Sequence, residues 1–161
     1  MKRSDTIMQN SQTIQSNQCI QEQLDTLKIK LASGARLAVA FIDCFGYAEF
    51  FGSGVKPLLT AITKAAPLLS GAVCADRVVG KAAALLFVYA NVSFVYGETM
   101  SESALQILTA NAVPHAFQNK VPFIQNRAGD GQCPMELLCA DTSSPLEAFK
   151  RLSEKIGGVM G

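Results

Sequence analysis

The chain has 161 residues, 14 Lys and Arg against 13 Asp and Glu, and a formal net charge of +1. That length suits one domain with a real core, and near-neutral charge with scattered basic residues argues against a nucleic-acid footprint. The longest uninterrupted apolar run, residues 82–90, is far too short to span a bilayer, and the first 18 residues lack the apolar stretch of a secretory signal.

The expectation is therefore a soluble cytoplasmic protein with no membrane or nucleic-acid partner. Cys19, Cys44, Cys74, Cys133 and Cys139 are odd in number and irregular in spacing, which suits reduced thiols better than a disulfide framework.

Residues 1–18 are rich in Gln, Ser, Asn and Thr and are expected to form a disordered tail. Residues 19–161 are expected to form the domain. Ile20, Leu24, Leu27 and Leu31 place one apolar stripe on a helix that Ser33-Gly34 ends. Residues 37–44 read as a mostly apolar, central strand. Phe45-Gly46 turns it into a second strand at 47–51.

Gly52-Ser53-Gly54 breaks that strand. A helix follows over 55–69, with Pro57 in its first turn and Pro67 distorting its last. Residues 72–75 form a short strand stopped by Asp76-Arg77. Residues 82–90 form a helix apolar on every face, which must be covered on all sides, with Gly80-Lys81 at its start. The next strand is 93–96. Ser101 is placed as the N-cap of a helix to about 112, with Glu102 favourable beside its dipole. A short strand at 114–117, a long loop over 118–132, a short helix at 134–139 and an amphipathic helix at 145–156 complete the order. Strand–helix alternation after a hairpin predicts an α/β fold: three layers, with a mixed five-stranded sheet and helices on both faces.

That order resembles the cytidine deaminase-like fold. The likeness is carried by Val92-Ser93-Phe94-Val95-Tyr96-Gly97, which is similar to the strand after the zinc-binding helix of those enzymes. A closer resemblance is to a small uncharacterised prokaryotic family of the same fold. Its marks are Gly54-Val55-Lys56-Pro57, Ala75-Asp76-Arg77-Val78-Val79-Gly80-Lys81-Ala82-Ala83-Ala84, Met100-Ser101-Glu102 and Cys133-Pro134-Met135-Glu136. It implies a fold and no established activity; by the deaminase likeness, a homodimer is implied too. The zinc ligands of the deaminases are missing. Gly80 and Ala83 stand where the two cysteines belong, there is no Cys-x-x-Cys, and the one histidine, His115, lies on another strand. No metal or other cofactor is expected.

The candidate site is drawn from these stretches. Two helix starts, near Ser53-Gly54-Val55-Lys56 and near Asp76–Lys81, offer free N–H groups, with Lys56 and Lys81 adding charge for a small anionic or nucleotide-like ligand. The plain alternative is a turn, ordinary capping and solvated lysines. Asp76 could hold a ligand hydroxyl or a lysine, or serve as an N-cap. Cys133, before Pro134 at a helix start, is a candidate nucleophile or redox thiol. Glu136 is an acid or base, or a capping residue. Arg127, in a polar, flexible loop, would clamp an anion. The catalytic candidates are thus Cys133, Glu136 and Asp76. The ligand-binding candidates are Ser53, Gly54, Lys56, Gly80, Lys81, Ser101 and Arg127. A non-catalytic oligomeric scaffold remains the third reading. His115 is assigned a structural role, and Cys44 and Cys74 are assigned to the core.

Overall fold

The structure, a computed structural model, describes residues 2–42 and 46–160, with side chains described for 17–42 and 46–157. Cys44, expected in the first strand, lies outside the described residues. Helix α1 runs Lys2–Ala32, so the backbone of the polar stretch expected as a tail is helical from Lys2 onward. Its apolar stripe does what the spacing predicts. Leu24, Leu27 and Leu31 are buried against Ala38, Ala40, Val73, Ala75 and Tyr96 on one face of the sheet. Arg77 closes the helix's last turn: its Nε donates to Ala35 O at 3.0 Å and a terminal nitrogen donates to Leu31 O at 2.5 Å.

Five strands make that sheet: β1 (Leu37–Ala40), β2 (Tyr47–Phe50), β3 (Val73–Val79), β4 (Phe94–Ser101) and β5 (His115–Val121), in the order β2-β1-β3-β4-β5. β1 is antiparallel to β2 and β3, whereas β3, β4 and β5 run parallel. The sheet is therefore mixed and five-stranded, as the alternation predicts.

Three strands outrun their expected ends. The β3 strand continues through Asp76-Arg77, because the Asp76 carboxylate accepts from Arg36 Nε at 3.1 Å and from the Val78 N–H at 3.2 Å. A buried charge with partners does not stop a strand. The β4 strand runs to Ser101, and β5 takes up the first residues of the expected loop to pair with it. The first strand is shorter than its apolar run and ends at Ala40.

The other face of the sheet carries α2 (Lys56–Leu69), α3 (Lys81–Tyr89), α4 (Glu102–Ala110) and α6 (Pro145–Met160), with the short α5 (Pro134–Leu138) at one end. Pro57 sits in the first turn of α2, and the helix kinks at Ala65, just before Pro67. Ala82 through Phe87 of α3 are all buried, which is the cover their apolar run demands. Tyr89 stacks on Phe149 of α6 with ring centroids 4.4 Å apart. Cys74 and Cys139 are buried, and His115 accepts a structural place, its Nδ1 2.8 Å from Val113 O.

One face of α1 thus holds the sheet while the opposite face is solvated, and two substitutions separate them. Leu31→Ala, at a fully buried position, should cost about 2–4 kcal/mol in urea unfolding. Ile29→Ala, at a position 67% exposed, should stay within about 0.5 kcal/mol.

Candidate functional site

The loop before α2, the ends of β3 and α6, and the segment from Ile124 to Met135 enclose a cavity of about 720 Å³. Four cations line it: Arg36, Lys56, Arg127 and Lys155. No acidic side chain is among its described lining residues. Val55, Val78, Ile124, Met135 and Ile156 supply apolar wall. At its inner end lies a chamber of about 40 Å³ that shares Arg36, Gly54, Val55, Val78, Ile124, Cys133 and Met135 with the cavity and adds Gly80, Ala82, Ala83 and Glu136.

The start of α2 opens onto this cavity. No side chain caps it, and Gly54 takes φ +63°, a backbone that costs a glycine nothing, to bring the chain into the helix. Ser53 Oγ accepts from Arg127, which ties the α2 entry loop to the late loop. That late loop is not the free flap its composition suggests. Asn126 N–H donates to Gly131 O at 2.9 Å, Asn126 Nδ2 to Asp130 Oδ1 at 2.8 Å, and Cys133 N–H to Ile124 O at 2.8 Å. Arg127 is thereby presented from a loop held by its own hydrogen bonds.

At the start of α3 the expected free N–H groups are already engaged. The carboxylate of Glu136, from α5, accepts from Lys81 N–H through Oε2 at 2.7 Å. This is capping, as the position of Glu136 suggests, but it serves another helix 55 residues away. It also explains Gly80, whose φ of −96° any residue could adopt. A Cβ at position 80 would come within 2.6 Å of Glu136 Cδ and 2.9 Å of Ile124 Cγ1. Glycine stands there for space and not for conformation.

Glu136 is 3% exposed, and its Oε1 has no hydrogen-bond partner. Burial pushes its carboxyl up. The N–H groups of Lys81 and Ala82, the Lys81 charge and the Ser101 hydroxyl act in the opposite direction. Of these, the Lys81 N–H makes the full hydrogen bond.

Two further candidates do not line the cavity. The Lys81 ammonium donates to Ala140 O at 2.9 Å, so it fastens the α5–α6 turn and lies outside the cavity lining. Ser101 is fully buried, and its Oγ caps α4 by accepting from Ala104 N–H at 3.1 Å. Asp76 also lies outside the cavity lining; it acts through Arg36, whose Nε it holds. Asp76 and Lys81 therefore do not join Cys133 in the cavity wall.

What the structure does bring together is Ser53, Gly54, Lys56, Arg127 and Cys133 around the cavity, with Cys133, Gly80 and Glu136 around its inner chamber. Cys133 precedes a helix of five residues, which carries little dipole and makes no side-chain cap with it. Arg36 and Lys155 are lining cations that sequence reasoning missed. Arg36 reads as the polar lead-in to a strand, and Lys155 as the solvated face of an amphipathic helix. Among the described residues, no three His, Cys, Asp or Glu side chains cluster closely enough to hold a metal.

Residues 27–156 match the family model described as TM1506: Domain of unknown function (DUF1893). The chain belongs to the DUF1893 family. The matched span includes every residue lining the cavity and its chamber. The fold is similar to the crystal structure of a DUF1893 family protein (TM1506) from Thermotoga maritima, with a TM-score of 0.73 and 23% identity, covering 83% of this chain and 88% of that one. No curated protein matches. No described helix of this DUF1893 chain is long and apolar enough to cross a membrane.

Two predictions test this geometry. Gly80→Ala should cost about 2–4 kcal/mol by displacing Glu136, and should cost at least about 1 kcal/mol less in a Glu136→Ala background; chemical unfolding of the four species reads the coupling. The second concerns Asp76, which burial raises from 3.8 to about 6 against the pull of Arg36 and the N–H groups of Val78 and Arg77. The folded protein then binds that proton more tightly than the unfolded chain. The resulting stabilisation is complete below about pH 4 and lost as pH rises through about 6. Relative to Asp76→Asn, the natural protein should gain roughly 2–3 kcal/mol between pH 7 and pH 4. Parallel stability curves for the two proteins would contradict it.

Proposed function

We propose that this protein is a metal-free relative of the cytidine deaminase-like folds that binds a small anionic ligand in the 720 Å³ cavity. The observation that carries the reading is the charge of the wall: four cations and no acidic side chain among the described lining residues. Cations set in a partly apolar recess are screened less than on open surface, and the uncapped start of α2 adds N–H donors of the same sign.

Support for the deaminase likeness comes from the sheet. Its order, with β1 antiparallel to both neighbours and β3, β4 and β5 parallel, suits a hairpin followed by strand–helix units. The starts of α2 and α3 also meet at one chamber, which Gly54 and Gly80 both line.

A zinc site does not fit this version of the fold. The carboxylate of Glu136 fills the space where a side chain at position 80 would stand, and it already bonds the start of α3. The ligand-binding role falls instead to Ser53, Gly54, Lys56 and Arg127, joined by Arg36 and Lys155. Cys133 lies in the same wall and would face the bound molecule.

Isothermal titration with orthophosphate, pyrophosphate, sugar phosphates and nucleoside monophosphates tests the reading. At least one should bind with a Kd below about 1 mM, and Lys56→Ala with Arg127→Ala should weaken it at least about tenfold. Absence of binding by all of them, or an unchanged Kd in the double variant, would overturn it.

A further inference from the structure

Among the described residues, Glu136 Oε1 is the buried side-chain atom that has no hydrogen-bond partner. Its sister oxygen caps α3 and fixes the carboxylate in place. An acceptor removed from water and left without a full hydrogen bond is costly, so a group that supplies a well-placed donor there gains more than an ordinary hydrogen bond. The atom belongs to a residue that lines the 40 Å³ chamber, which has room for about one water-sized group. The chamber is the inner end of the cationic cavity. Val55, Val78, Ile124 and Met135 line both spaces.

We infer that the chamber is a subsite for a hydrogen-bond donor on the far end of the ligand. The ligand class is then an anion at the cationic wall, an apolar spacer along Val55, Val78, Ile124 and Met135, and an N–H or O–H group on Glu136 Oε1. The inference rests on the anion-binding reading and sharpens it. An apolar spacer is required because hydroxyls set against that wall would lose their water without replacement. The distal group must be small and must donate, because the chamber's carboxylate can only accept in its charged form.

Glu136 also couples the two ends of the site. The carboxylate that receives the donor is the one that caps α3 and excludes a side chain at position 80. The Glu136 side chain is buried, although its short helix exposes Leu137, and it cannot swing into the main cavity without uncapping α3. The subsite is therefore rigid, and discrimination should depend on whether the donor is present more than on its strength.

The test uses phenyl phosphate and its 3-amino and 4-amino derivatives as probes, titrated calorimetrically into the intact protein at neutral pH. The aromatic amine donates and scarcely accepts. At least one amino derivative should bind ten times or more tighter than phenyl phosphate. In Glu136→Gln the amide oxygen can keep the bond to Lys81 N–H, which turns the NH2 toward the chamber. The amino advantage should then fall to threefold or less.

Equal affinity of all three probes for the natural protein would overturn the inference and leave the anion site standing. An amino advantage that survives Glu136→Gln would do the same. Failure of all three to bind, together with the phosphates above, would overturn both readings. The comparison among probes needs only the natural protein, so poor folding of the variant does not remove the test.

Discussion

A single carboxylate bond, from Glu136 to the start of α3, sets the arrangement of the rest of this site. Ala82 through Phe87 of the helix it caps are buried, so the first N–H groups have little water to turn to. Some acceptor must be delivered, and α5 delivers it. Position 80 must then lack a side chain. Lys81 follows the helix away from the cavity and is used to hold Ala140 O. Ser101, close to the same carboxyl, caps α4 with an oxygen lone pair that accepts from Ala104 N–H. The anion-accepting end passes to α2, whose start is uncapped and faces the cavity.

The second buried acid follows the same pattern. Asp76 is 3% exposed on the central strand, an unfavourable place for charge. Arg36 relieves it from the position just before β1, and that contact brings a guanidinium to the cavity wall. The pair costs desolvation, which is why the Asp76 carboxyl rises even beside a cation. Its return is position. Arg36 is held by the sheet and not by a mobile loop, so the cavity has one cation whose place is fixed before any ligand arrives. Arg127 reaches the same cavity from the late loop, where its guanidinium donates to Ser53 Oγ.

Local pattern carried most of the architecture. The stripe at Leu24, Leu27 and Leu31, the all-apolar run of α3, and Pro57 in a first helical turn each state their environment directly, and the structure agrees with each. Strand ends were harder to read, for a physical reason. Asp76-Arg77 looks like a stop because two charges in an apolar strand are unfavourable alone, and the partners that satisfy them lie about 40 residues earlier. The same limit applies to the site. Glu136 is legible as a capping residue, but the helix it caps is not. Lys81 is legible as a cation at a helix start, but the carbonyl that engages it is 59 residues later. Arg36 and Lys155 join the cavity only because β1 and α6 meet the late loop in space. Spacing along one element is local information; who satisfies whom across elements is not.

The two buried acids account for the sign of the cavity. Each is turned to an internal donor, Glu136 to the Lys81 N–H and Asp76 to Arg36 and the Val78 N–H. Neither lines the main cavity, and only Glu136 reaches its inner chamber. Among its described lining residues the outer cavity presents cations and no acid, in a chain whose charges nearly balance. A net charge of +1 says nothing of such a place, because the sum of 14 bases and 13 acids does not record where on the fold each lies. What remains is a polarity within one recess: cations and open N–H groups outside, a fixed acceptor inside, and apolar wall between them. A ligand that fits all three must change character along its own length, and that demand is more selective than charge attraction alone.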